Sequence, residues 1–128
     1  MPEISLTLDV LPEMLAICRL PPDAPLPDWA VGGGLVSITR TAAELSIVCR
    51  AERVPPGVTV VGGWRCLRVA GPLDFALTGV LAALAEPLAQ AGISLFAVST
   101  YDTDYLLVPE RHLNAAVAAL EGAGMRVN

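Results

Sequence analysis

The feature that most constrains the fold of this chain is a change of hydrophobic period along residues 64–127. Apolar and polar side chains alternate over Trp64–Ala70, as they do in a half-buried strand. The residues Gly71–Asp74 break this pattern, and from Phe75 onward leucines recur at the spacing of one helix face, at Leu77, Leu81, Leu84 and Leu88. We therefore expect a strand followed by a helix, with Asp74 as a candidate N-cap residue.

The rest of this segment continues the alternation of strands and helices. Two runs rich in strand formers, Ser94–Thr100 and Tyr105–Val108, flank a polar corner and predict a hairpin. Pro109 suits the first turn of a second helix, and a short strand at Met125–Val127 follows it. The apolar face of that helix carries Leu113, Val117 and Leu120. The order strand, helix, strand, strand, helix, strand predicts an α+β, ferredoxin-like (βαββαβ) domain.

The first half of the chain is less regular. Candidate strands lie at Ile4–Val10, Met14–Leu20, Leu35–Arg40 and Leu45–Cys49, with one helical turn at Asp28–Ala30. The last two strands and their turn resemble the hairpin of the second half, which favours a degenerate internal repeat with reduced helices. The apolar, glycine-containing stretch Pro55–Gly63 is expected to join the halves. The predicted domains are residues 1–62, a reduced unit, and residues 63–128.

Composition excludes several classes of function. The net charge is −5, and the eight basic residues, all arginine, are scattered, so we expect no nucleic-acid partner. No apolar run reaches the roughly 20 residues that cross a bilayer, and we expect no membrane partner. Cys18, Cys49 and Cys66 lie in apolar runs and are expected to be buried, reduced thiols of a cytoplasmic protein.

Motifs for catalysis or cofactors are missing from the sequence. There is one histidine, no phosphate-binding glycine–lysine loop and no nucleophile elbow, so we expect neither an enzyme nor a cofactor nor a metal. The run Gly32–Gly34 precedes a strand rather than a helix, which favours a simple backbone bend. An enzyme of acylphosphatase type would need an arginine within Gly71–Phe75, where there is none.

Two segments are candidates for ligand binding. The bend Gly71–Asp74 leads toward a helix N-terminus, where free N–H groups favour a carboxylate, unless Asp74 fills those donors itself. The corner Ser99–Asp104 carries two carboxylates, and Asp102 or Asp104 could pair with an ammonium group. The alternative for this corner is ordinary turn chemistry, because Asp, Ser and Thr favour turns.

At these residues the chain resembles a known family. The segments Val69–Phe75, Pro87–Ser94 and Val98–Pro109 resemble the ACT domains of arginine-sensing regulators and of small bacterial ACT proteins. More distantly, they are similar to the regulatory ACT domains of aspartate kinases. The likeness covers nearly all of residues 64–127, and Leu45–Cys49 looks like part of a partner ACT-like unit.

The resemblance implies an amino acid held between two ACT-like units. It implies that Asp104 binds the ligand ammonium, that Gly71 forms the bend before the helix, and that the backbone of Ser46 and Ile47 contributes from the other unit. It further implies that the side-chain end of the ligand is lined by Thr100, Tyr101 and Thr103. Leu73 and Leu77, next to the bend, complete the predicted site.

One departure from the family pattern affects the expected ligand but not the expected fold. Where the arginine sensors carry two acids, this chain has Ala76 and Leu77, which cannot pair with a guanidinium. Arginine is therefore disfavoured relative to a smaller or less basic amino acid. Our first hypothesis is a non-catalytic amino-acid sensor that forms a homodimer through its sheet edges. The second is a structural or protein-interaction module that has kept the fold and lost the ligand.

Overall fold

The computed structural model of the protein describes residues 5–74 and 78–128. Within them the chain forms eight strands, two α-helices and three single 3₁₀ turns, at Asp28–Ala30, Ala51–Arg53 and Glu110–His112. The strands are β1 (Thr7–Val10), β2 (Leu15–Leu20), β3 (Ser37–Arg40), β4 (Leu45–Arg50), β5 (Thr59–Val69), β6 (Phe96–Ser99), β7 (Asp104–Pro109) and β8 (Arg126–Val127). The helices are α1 (Val80–Gln90) and α2 (Leu113–Gly122).

The chain divides into two compact units, one of Glu13–Trp64 and one of the chain up to Pro12 with Arg65–Asn128. This division differs from the predicted domains 1–62 and 63–128 because the first twelve residues belong with the second half. The reason is strand pairing: β1 is antiparallel to the end of β5, with Leu8 opposite Val69, and parallel to β8. A strand this short leaves no local signal of such a distant partner.

The larger unit has the predicted order β5-α1-β6-β7-α2-β8, so the α+β, ferredoxin-like expectation is confirmed. Its strand order is β8-β1-β5-β7-β6, in which β1 separates β8 from β5. The core consists of aliphatic side chains from the strands and both helices, among them Leu8, Leu67, Leu84, Leu88, Leu106 and Leu120. Burial of each such leucine contributes about 1.5–3 kcal/mol.

Helix α1 begins later than the leucine spacing predicts. Its N-cap residue is Gly79 and no side chain caps it, so the expectation of an N-cap at Asp74 is wrong. The buried face carries Val80, Leu84 and Leu88, whereas Leu81 is 42% exposed. A four-residue spacing from Val80 fits a helix face as well as the predicted leucines do, and only packing decides between them.

The smaller unit is an antiparallel sheet in the order β3-β4-β2-β5, with β5 contributing its first part. The segment predicted as a join, Pro55–Gly63, is therefore largely strand, since β5 starts at Thr59 and runs through two glycines. The core of this unit includes Cys18, Leu45, Ile47 and Cys49.

The two hairpins predicted to be repeats share one turn geometry. In the β3–β4 turn the Thr41 N–H donates to the Glu44 carbonyl over 2.9 Å, and in the β6–β7 turn the Thr100 N–H donates to the Thr103 carbonyl over 2.8 Å. The threonine hydroxyl also accepts a hydrogen bond from the fourth residue in each turn, at 3.2 and 3.3 Å respectively. A threonine at the first position stabilises both turns through its own side chain.

Candidate functional site

A cavity of about 200 Å³ lies in the larger unit, at the tip of the β6–β7 hairpin. For comparison, an apolar cavity of about 150 Å³ accommodates benzene. The cavity is therefore large enough for a molecule with few heavy atoms. Its lining comes from the hairpin turn, the loop after β5 and the first residue of α1: Leu73, Asp74, Val80, Ser99, Thr100, Tyr101, Asp102, Thr103 and Asp104.

Two hydrogen bonds attach the hairpin turn to β5 and to the loop after it, and a third lies within the turn. The buried Thr103 hydroxyl donates to the Val69 carbonyl at 2.7 Å, and the Leu73 N–H donates to the Asp102 carbonyl at 2.7 Å. The Thr100 hydroxyl donates to the Thr103 carbonyl at 3.0 Å and so closes the turn on itself. The turn is thus attached to the sheet at one point and to the loop at another, which holds its carboxylates at the cavity.

Gly71 allows the loop to pass close to the turn. A Cβ at this position would lie 3.1 Å from both the Asp102 carbonyl oxygen and the Thr103 Cβ, and 3.2 Å from the Leu73 nitrogen. The peptide bond from Gly71 to Pro72 is cis. A larger residue would push the loop and the turn apart by a few tenths of an ångström. Gly71 therefore affects the shape of the cavity, although it does not line it.

All the charged residues that line the cavity are acidic. Asp74, Asp102 and Asp104 are among the lining residues, and none of the lining residues is basic. Val80, the first residue of α1, also lines the cavity, and within the described residues the N-cap position Gly79 makes no side-chain cap hydrogen bond. Uncapped N–H groups and the helix dipole favour an anionic group there, whereas the carboxylates favour a cation.

The structure brings together most of the residues predicted for the site. The five that line the cavity are Leu73, Thr100, Tyr101, Thr103 and Asp104. Gly71 packs behind the turn, as described above. Leu77, with the Ala76 next to it, lies outside the described residues.

The remaining predicted residues, Ser46 and Ile47, lie on β4 of the smaller unit and do not line this cavity. Ile47 is fully buried, and β4 is paired with β2 and with β3 at both positions. Their backbone groups therefore have partners within the sheet, and a role in ligand binding stays a prediction.

Four further residues line the cavity: Asp74, Val80, Ser99 and Asp102. Ser99 and Asp102 belong to the corner predicted as a candidate for ligand binding, in which Asp102 was the alternative to Asp104 as partner of an ammonium group. Asp74 belongs to the other candidate segment, where it was also a candidate helix cap. Val80 carries no polar signal, and only the late start of α1 brings it to the cavity.

Other types of site receive no support from the described residues. Residues 5–74 and 78–128 contain no group of three His, Cys, Asp or Glu side chains that could hold a metal ion. Cys18, Cys49 and Cys66 are buried, as predicted, and form no disulfide. None of the helices formed by these residues has the length and apolar character to span a bilayer.

Comparison with known proteins agrees with the predicted fold. The sequence model of the ACT domain matches residues 59–122, and a model of an N-terminal domain matches residues 13–57. The human cytosolic arginine sensor for mTORC1 subunit 1 is 41% identical over 59 residues, which are 45% of this chain and only 18% of the sensor. The match therefore covers a small part of that protein.

Solved structures resemble the chain over nearly its full length. A protein from Agrobacterium tumefaciens superposes with a TM-score of 0.93 at 42% identity, covering 98% of this chain and 93% of that one. The ligand-free regulatory subunit of aspartate kinase from Thermus thermophilus gives a TM-score of 0.66 at 13% identity, covering 93% and 99%. The second likeness shows a shared fold.

Proposed function

Because this chain belongs to the ACT domain family, we propose that it is a non-catalytic regulatory protein that binds an amino acid. The observation that carries the proposal is the pair of opposite electrostatic features at the cavity of the larger unit. Three carboxylates line it, and the uncapped N-terminus of α1 adjoins it. A zwitterion has one group for each: the ammonium pairs with a carboxylate and the α-carboxylate with helix N–H groups.

Asp104 is the carboxylate that we assign to the ammonium group. It is the first residue of β7 and half-buried, opposite Ser99 in the strand register, so the sheet restrains its position. Asp102, in contrast, is exposed within the turn. A restrained, partly desolvated carboxylate binds an ammonium more strongly than a solvated one does, because water screens the charge less.

The size of the cavity favours a small ligand. At about 200 Å³ it is smaller than the roughly 300–1,000 Å³ of pockets that hold drug-sized molecules. We therefore expect a compact amino acid rather than one with a long side chain. Tyr101 is 79% exposed at the rim, where it can contact the outer end of a ligand.

A thermal-shift screen of the twenty amino acids tests the proposal. Ligand at 100 times its Kd should stabilise the protein by about 2.7 kcal/mol, which raises its Tm by several degrees. Asp104→Asn should weaken binding by about tenfold or more while retaining the fold, because it removes one charge-assisted hydrogen bond. Asp23→Asn, on an exposed turn of the smaller unit, is the matched control and should leave the shift unchanged.

The second hypothesis, a module that has lost its ligand, is favoured by the sequence departure at Ala76 and Leu77 described above. Native mass spectrometry of freshly purified protein separates the two functions. A retained small molecule in the wild type that is lost in Asp104→Asn supports the sensor. An absence of retained ligand, together with no thermal shift at millimolar amino acid, would establish the module instead.

We also propose a cytoplasmic homodimer. The three buried cysteines form no disulfide, which suits a reducing compartment. Among the described residues β6 pairs only with β7, so its outer edge has backbone groups available for a second copy of the chain. Sedimentation velocity should give the mass of a dimer, and a monomer at micromolar concentration would contradict this assembly.

A further inference from the structure

The run Gly32–Gly34 in the smaller unit packs directly against two arginine side chains. A Cβ at Gly32 would overlap the guanidinium of Arg53, and a Cβ at Gly34 would lie 2.6 Å from Arg50 Nε. Gly34 also has a φ of +85°, which favours glycine. This tripeptide, the glycine loop, is therefore more than the simple bend that the sequence indicates, because two cationic groups occupy the space where side chains would be.

The two arginines differ in how their charge is compensated. Arg50 lies 3.3 Å from a Glu13 carboxylate oxygen and 4.0 Å from one of Glu52. Arg53 has no carboxylate within ion-pair distance in the part of the chain that the structure describes; its Nη1 donates to the Val31 carbonyl at 3.3 Å. In a protein of net charge −5, Arg53 is thus a half-buried cation without a counter-ion.

Several N–H donors around this cation also have no acceptor. The Nε atoms of Arg50 and Arg53 are buried and make no hydrogen bond. Gly32, Gly33 and Gly34 are exposed, and no backbone acceptor within residues 5–74 and 78–128 pairs with their N–H groups. Buried donors such as the two Nε atoms are normally satisfied, and the exposed glycine amides beside them add donors that a ligand can reach.

We infer that the glycine loop, Arg53 and Arg50 form a binding site for a small oxyanion. The chemistry required is a compact group with several acceptor oxygens and a negative charge, as in a phosphate or a carboxylate. Guanidinium groups bind both through paired hydrogen bonds, and successive glycine amides form concave anion sites. This site lies in the smaller unit and does not depend on the amino-acid site proposed above.

The inference is tested by titrating the full chain with inorganic phosphate at constant ionic strength. Two-dimensional ¹H–¹⁵N NMR spectra are recorded at each phosphate concentration. The three consecutive glycine amides should shift and saturate at millimolar phosphate. An acetate titration in parallel separates the two sources of the oxyanion: stronger saturation by acetate assigns a carboxylate ligand, and stronger saturation by phosphate a phosphate ligand. Phosphate should not weaken the binding of an amino acid at the cavity of the larger unit.

Two matched substitutions identify the groups that bind. Gly32→Ala displaces the Arg53 guanidinium and should weaken phosphate binding about tenfold or more, as should Arg53→Gln. Gly62→Ala, in the same unit but outside the glycine loop, is the control, because its added Cβ would have no neighbour within 4 Å, and it should leave binding unchanged.

The inference would be overturned by glycine amides that shift linearly without saturation in wild-type protein. Equal phosphate affinity in wild type and Arg53→Gln would overturn it as well. If Arg53→Gln does not fold, the saturation of the wild-type amides and the comparison of Gly32→Ala with Gly62→Ala still decide the outcome.

Discussion

The hydroxyl of Thr103 donates a 2.7 Å hydrogen bond to the backbone carbonyl of Val69, linking the tip of the β6–β7 hairpin to the end of β5. Thr103 is the one polar residue in the described chain that is buried in this way, at 7% exposure. The bond joins two segments 34 residues apart and positions Asp102 and Asp104 on either side of it. A side chain predicted to line the ligand also holds the site together.

Replacement of Thr103 by valine tests this structural role. Valine keeps the shape but removes the donor, which leaves the buried Val69 carbonyl without its partner and should cost about 1–3 kcal/mol of unfolding free energy. Thr103→Ser keeps the hydroxyl and should cost about 1 kcal/mol or less for the lost methyl group. Urea unfolding of the three proteins gives the comparison; equal losses in both variants would show that the methyl group, not the hydrogen bond, matters.

Gly71→Ala should change the site more than the stability. The added Cβ would lie 3.1 Å from the Asp102 carbonyl and the Thr103 Cβ, so the loop and the turn must separate slightly. We expect amino-acid affinity to fall about tenfold and the unfolding free energy to fall by about 1 kcal/mol. Gly62→Ala, with no neighbour within 4 Å of its added Cβ, is the control and should keep full affinity. Unchanged affinity in Gly71→Ala would remove Gly71 from the site.

The order of elements was predictable because each one leaves a local periodic signal. The hairpin and its turn follow from strand formers around Thr100–Asp104, and helix α2 follows from its own apolar face. The pairing of β1 with β5 and β8 was not, since nothing in Thr7–Val10 specifies partners so distant along the chain. The first twelve residues were consequently assigned to the wrong half of the structure.

The residues of the site that were predictable come from two short sequence segments, Gly71–Asp74 and Ser99–Asp104. Thr100, Tyr101, Thr103 and Asp104 come from one corner, and the structure keeps them together at the cavity. Asp74 and Val80 reach the same cavity through tertiary packing of the loop and helix. Asp74 has the side chain of an N-cap residue, but α1 begins without a side-chain cap, so residue type alone gave an incorrect helix start.

Protonation of the Asp9 carboxylate should lower the stability of the protein in acid. The pKa of Asp9 is lowered from its ordinary value of 3.8 by a hydrogen bond from the Asn128 amide and then by one from Arg68, at 3.0 and 3.2 Å. A lowered pKa in the folded state gives stability that is fully present above about pH 4 and is lost as pH falls through the folded-state pKa.

Urea midpoints measured from neutral pH into acid provide the test. The wild-type midpoint should fall more steeply below about pH 4 than that of Asp9→Asn, which has no carboxylate to protonate. The exposed Asp23→Asn variant should follow the wild type. Parallel curves for wild type and Asp9→Asn would contradict the assignment.

The Cys18 thiol should be unreactive toward alkylation in the folded protein, and its ionisation should destabilise the fold in alkali. Burial raises the pKa of its thiol from 9.0 to about 11, with a further contribution from the neighbouring Cys49. A raised pKa gives stability that is fully present below 9.0 and is lost as pH rises through about 11, and Cys18→Ala should flatten that loss.

Because thiolates react and thiols do not, iodoacetamide near pH 8 should label Cys18 in urea but not in buffer, as read by peptide mass spectrometry. Native labelling at the rate of the unfolded chain would show that this strand opens far more often than its burial allows.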